Sequence, residues 1–135
     1  MFSLIALLSK DSPLITVDAL EAQLSKFFKT ERELKFGRAR LPFLSADSID
    51  LRWGTWRARL SYEEGPYVVE DSVEISKILG GAAPFDLSAI DRRIRVVFSD
   101  DKNQERTNEV IYVMDFLKEI PGVVIFDPQQ NNLLT

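Results

Sequence analysis

Residues 2–9 read FSLIALLS, an almost unbroken apolar run that stops at the turn-forming KDSP. A strand that alternates polar and apolar residues has one face it can offer to water; a strand that is apolar throughout has none. The run therefore predicts a central strand buried on both sides. Near the other end, GVVIFD predicts a second buried strand, and PQQNNLLT a turn leading into a short terminal strand or tail. A chain of 135 residues has enough material for one hydrophobic core. It is read as a single domain over 1–135.

Between these runs the apolar period changes from continuous to helical. In TVDALEAQLSKFFK, Val17, Leu20, Leu24, Phe27 and Phe28 recur at helical spacing. Thr16 can cap the amino end, and Asp18 and Glu21 suit the first turn. DSVEISKILGG predicts a short helix with Asp71 as its cap and the paired glycines as its stop, after a turn at EEGP. TNEVIYVMDFLKEIPG predicts a third helix, capped by Thr107 and apolar along Val110, Met114, Leu117 and Ile120. ELKFGRARL and DRRIRVVFSD read as strands, and PFLSADS as a loop.

The stretch DLRWGTWRARLSYEEG, residues 50–65, holds both tryptophans. Ile49, Leu51 and Trp53 share one phase of a strand; Trp56, Ala58, Leu60 and Tyr62 share the other, with Gly54 at the slip. Gly37 marks a similar slip between Leu34, Phe36 and Ala39, Leu41. Glycine at a phase change predicts a β-bulge, here in one long bent strand that buries both tryptophans and turns Arg52, Arg57 and Arg59 outward. The element order is then β-α-β-β-α-β-α-β. That is an α+β chain with a ferredoxin-like β-α-β-β-α-β core and an added C-terminal α-β unit. Right-handed crossovers place the helices on one face of a mixed sheet and leave the other face available.

Function classes are narrowed by what the chain lacks. With no cysteine and no histidine, it has no disulfide, no thiolate or imidazole metal site and no Cys- or Ser-His nucleophile. No phosphate-cradling glycine loop or nucleophile elbow is present. The chain reads as a non-enzymatic protein without cofactor or metal. The opening run has no positive n-region and no small-residue cleavage site, so the expected location is the cytoplasm, with no membrane span.

Charge is unevenly spread. Residues 26–59 hold nine Lys and Arg against four Asp and Glu, while the rest of a chain of net charge −4 is strongly acidic. Arg52, Arg57 and Arg59 beside the tryptophans define an alternative nucleic-acid face, opposed by the acidity of the remaining chain. Asp100 and Asp101, with Asn103 and Glu105, stand at the carboxyl end of a strand and could hold a hard cation in a carboxylate- or Mg-dependent enzyme, the third reading. They lack the spacing of a calcium loop. Asp127 opens FDPQ as either a general base or a turn starter.

The compact size, the charge asymmetry and the ending TNEVIYVMDFLKEIPGVVIFDPQQNNLL, a helix leading into a strand that ends in DPQ, resemble the small acidic α+β immunity proteins with which bacteria neutralise delivered toxins. The likeness covers the last third of the chain, and no functional residue carries over by motif. It implies tight binding of a cognate protein toxin, an acidic surface occluding the toxin's active site. Two acidic clusters fit that expectation: Glu63, Glu64, Glu70, Asp71 and Glu74, and then Asp100, Asp101 and Glu105. Trp56, Tyr62 and Tyr67 are the aromatics that exposure would turn into anchors.

Overall fold

A computed structural model describes residues 2–42 and 46–134; Phe43–Ser45 of the PFLSADS connection and both terminal residues lie outside the described residues. The strands are β1 (Phe2–Leu8), β2 (Leu34–Ala39), β3 (Ser48–Trp53), β4 (Trp56–Glu64), β5 (Arg92–Phe98), β6 (Val123–Asp127) and β7 (Asn132–Leu134). The helices are α1 (Val17–Phe27), α2 (Pro66–Leu79) and α3 (Thr107–Lys118), with a 3-10 turn at Gly80–Ala82. The chain is α+β. One seven-stranded sheet runs in the order β2-β3-β4-β5-β1-β6-β7, and every neighbouring pair is antiparallel. The expected mixed sheet is therefore not formed. Among the described residues no helix is long and apolar enough to cross a membrane.

The expected long bent strand is a hairpin. Trp53 pairs directly with Trp56 across a two-residue turn, and the register runs back through Arg52–Arg57 and Asp50–Arg59 to Ile49–Leu60. A one-residue phase slip fits a bulge or a two-residue turn equally well, because both return the flanking residues to one face. Gly54 decides between them: its φ of +63° belongs to the tight hairpin turns that follow strand twist. The extra strand turns the expected opening β-α-β-β-α-β into β-α-β-β-β-α-β. At Gly37 there is no bulge either; the β2–β3 register passes through it unbroken. Nor does crowding demand a glycine there, since the nearest atoms, those of the Arg52 guanidinium, lie at an ordinary contact distance of 3.5 Å from where a Cβ would stand.

Helices cover both faces, not one. On the first face, Leu20 and Leu24 of α1 and Val113, Phe116 and Leu117 of α3 pack on Leu4, Ala6, Leu51, Leu60, Val96 and their neighbours. Both tryptophans belong to this core, with ring centroids 5.7 Å apart. On the second face, Ile75 and Leu79 of α2, with Leu87 and Ile90 of the following loop, pack on Leu7, Val124 and Phe126. The apolar run of β1 demands this arrangement: Leu4, Ala6 and Leu8 point one way, Ile5 and Leu7 the other.

The amino ends of two helices differ from expectation. Thr16 caps α1 as foreseen, its Oγ1 accepting from the Ala19 N–H at 3.1 Å. α2 starts before Asp71, with Gly65 (φ +120°) as N-cap and Pro66 at the first position, where proline's missing N–H costs nothing. EEGP is thus a helix start rather than a separate turn. Thr107 is the first residue of α3, not its cap. The N–H groups of Glu105 and Arg106, just before that helix, bond to the Asp101 carboxylate at 3.0 and 2.8 Å.

Candidate functional site

Strand alternation divides each residue of the β3–β4–β5 region between the two faces. Trp56, Ala58, Leu60 and Ile94, Val96, Phe98 enter the first core, so Arg57, Arg59, Ser61, Glu63 and Arg93, Arg95, Val97 must stand on the second face. β3 adds Ser48, Asp50 and Arg52 there. The three arginines of the alternative nucleic-acid face are thus brought together, and Arg95 joins them. α2 shields only part of this face, packing over β4 and β5.

Asp50 is the hub of the uncovered part. Its carboxylate is 1% exposed and accepts two bonds from Arg59, Nε to Oδ1 at 2.8 Å and Nη2 to Oδ2 at 3.3 Å. Arg52 reaches Oδ2 at 3.4 Å and Arg57 stands 3.7 Å from it. Burial pushes the Asp50 carboxyl up; the bonds from Arg59 and Arg52 and the charges of Arg59 and Arg57 outweigh it and hold the group below the ordinary carboxylate value. Three guanidiniums thus share one carboxylate. Next along the same strands, the Ser48 and Ser61 hydroxyls meet at 2.7 Å.

A second buried hub lies under α2. Arg93, directly opposite Glu63 across β4 and β5, donates to it from Nε at 2.8 Å, and its Nη1 donates to Asp71 of α2 at 2.8 Å. Glu63 and Arg93 are each 3% exposed. Burial works against the Arg93 charge, but the bonds to Glu63 and Asp71 more than compensate and raise its pKa. Its guanidinium also lies 5.8 Å from the ring centre of Tyr67. Arg93 therefore clamps the first turns of α2 to the sheet.

The expected acidic cluster is divided by this geometry. Glu63 is interior and committed to Arg93, so it offers no surface to a partner. Glu64 is exposed but turns to the opposite side of β4, where its Oε2 accepts from the Tyr62 hydroxyl at 2.9 Å. Burial and that bond push the Tyr62 phenol up to about 12. Trp56 is buried and spends its indole N–H on the Ser99 carbonyl at 3.0 Å, so it is core rather than anchor. What remains together is the outer face of α2: Tyr67, Glu70, Asp71 and Glu74, extended by Ile78, all exposed at helical spacing.

Asp100 and Glu105 are exposed on the loop before α3, and Asp101 is occupied by the two N–H groups described above. Among the described residues no three acidic side chains gather to hold a metal ion. Asp127 is buried at the β6–β7 turn, where its Oδ1 accepts from the Gln129 N–H at 2.9 Å and the Gln129 side-chain amide at 2.6 Å. Gln129 also binds the Ser3 backbone, so Asp127 organises the turn against β1.

Sequence reasoning missed both hubs, although a signal for the first was present. RWGTWR is a mirror image about its Gly-Thr centre, which is how a two-residue hairpin with like residues opposite each other appears in sequence. Read as a hairpin, it sets Asp50 opposite Arg59 and Arg52 opposite Arg57. For the second hub, Glu63 shares the outward phase of the arginines, but its partner lies thirty residues on and no local spacing announces it. Comparison with known proteins finds no similarity: no family model, no curated protein and no solved structure matches the chain.

Proposed function

We propose that this is a non-enzymatic binding protein of the immunity type, which occludes a basic site on a cognate protein toxin with the outer face of α2. The observation that carries the reading is the exposed stripe of Tyr67, Glu70, Asp71, Glu74 and Ile78. Tyr67 and Ile78 are 43% and 51% exposed and frame three carboxylates. An amphipathic aromatic and an aliphatic side chain flanking a row of charges supply both the apolar contact and the steering charge expected of a binding surface. The stripe is also held in place, because Arg93 ties Asp71 and the Tyr67 ring to the sheet, and a preorganised surface loses less entropy on binding. A nuclease or similar toxin with a basic cleft is the matching partner.

The test is protection. Cells that express the cognate toxin survive with the wild-type chain. The double substitution Glu70→Lys with Glu74→Lys leaves folding intact, because both side chains are exposed, and slows association by roughly 10-fold or more at low salt. Undiminished protection by that variant removes α2 as the contact surface.

A further inference from the structure

We propose that the arginine face left uncovered by α2 is a binding site for a small phosphate-bearing ligand, seated in the depression over β4 and β5 and held by Arg57, Arg59 and Arg95. The depression has a volume of about 310 Å³, and Ser61 and Ser99 stand among its lining residues. Its location is independent of the α2 stripe, and so is the proposal.

Charge is the first argument. The register sets Arg52 directly opposite Arg57, a like-charge pair that weakens a sheet unless something compensates it. Among the described residues Asp50 is the one carboxylate in reach of these guanidiniums. Arg59 takes its two close bonds, and Arg57 is left at 3.7 Å, beyond hydrogen-bonding distance. Arg95 is exposed, and its side chain has no ion-pair partner among the described residues. Glu63 also borders the depression, but its charge is met by Arg93. Positive charge is therefore in excess over the depression.

Geometry is the second argument. Arg57 and Arg59 are two residues apart on one strand face, and Arg95, opposite Ser61, stands diagonally across from Arg59. Guanidinium forks from two strands thus converge on one hollow, and a tetrahedral oxyanion can accept from several of them at once. Asp50 holds Arg59 in position for this, as a preorganising partner beneath the ligand. A single-stranded nucleic acid fits less well. Both tryptophans are buried in the opposite core, so the patch has no indole for bases to stack on.

The experiment follows thermal unfolding during titration with inorganic pyrophosphate, against potassium chloride of equal ionic strength. The expected result is a midpoint rise of roughly 3 °C or more at about 10 mM pyrophosphate beyond the chloride control. Arg95→Gln, which removes no side-chain hydrogen bond or ion pair among the described residues, abolishes most of that rise. Arg52→Gln, which removes a charge from the same face but not from the depression, leaves it nearly intact. The proposal is overturned by a rise that chloride reproduces, by one that Arg95→Gln retains, or by equal losses in the two variants, which would mean a diffuse charge effect. It is also overturned if a single-stranded oligonucleotide binds more tightly than pyrophosphate, since the face would then be a polyanion track.

Discussion

The two faces of the sheet are made from the same strands and solve opposite problems. The first is sealed by α1 and α3 over leucine, isoleucine, valine and a chain of aromatic contacts running from Phe28 through Trp53 and Trp56 to Phe98. The second is covered only in part by α2, and it carries arginines around two buried carboxylates, Glu63 beneath that helix and Asp50 beyond it. On the first face stability comes from area removed from water, which no single atom controls. On the second it depends on a few charges, each buried safely only because a partner sits within about 3 Å. An apolar face can only hold the fold together, whereas a polar face that keeps its charges in place is equipped to bind.

Substitutions probe that contrast. The largest effects fall on groups that each face cannot replace. Trp56→Ala leaves a cavity beside Phe98 and Trp53 and is expected to cost about 3–5 kcal/mol in urea unfolding. Glu63→Ala strands Arg93 in the interior with Asp71 alone, at a similar cost of about 3–5 kcal/mol. If Glu63→Ala proves nearly silent, the second face is merely solvated and the contrast fails.

Acid sensitivity sharpens it next. Asp50 is held below its ordinary value of 3.8, so its ionised form stabilises the fold above that pH, and the contribution is lost as pH falls through the folded-state pKa. Asp50→Asn should therefore be less stable than wild type at neutral pH and show a shallower loss in strongly acidic solution, read from the unfolding midpoint at successive pH values. A smaller effect is expected at the hairpin. Gly54→Val forces a β-branched residue to φ +63° and should cost about 1–2 kcal/mol. Gly37→Ala is expected to change stability by no more than about 0.5–1 kcal/mol, because the strand is regular there and the new methyl meets Arg52 at ordinary contact distance. A large loss at Gly37 would restore the bulge. Arg95→Gln comes last, within about 0.5 kcal/mol, as for an exposed side chain with no ion-pair partner among the described residues.

Much of this was legible in local sequence. The double-sided burial of β1, the α1 helix with its Thr16 cap, and the burial of both tryptophans follow from apolar period and capping chemistry, which act over a few residues. The hairpin was misread because a bulge and a two-residue turn produce the same phase slip at Gly54. The missing strand then displaced everything that depended on the element count, including strand pairing. The placement of α2 on the second face was contained in Ile5 and Leu7, which need cover of their own. The sites were less legible still. Glu63, Glu64, Glu70, Asp71 and Glu74 are one cluster in sequence, but strand alternation sends Glu63 inward and Glu64 to the far side. The choice of Arg93 as partner to Glu63 is made by tertiary pairing of β4 with β5.

The most direct test of the account is quantitative recovery of a partner from native cells on tagged wild-type chain and on the Glu70→Lys, Glu74→Lys variant, with both proteins shown to have the same unfolding midpoint. One stoichiometric basic protein is expected on the wild type, released by added salt and lost from the variant. Recovery of the same protein at equal yield on both, or of no stoichiometric protein on either, contradicts it.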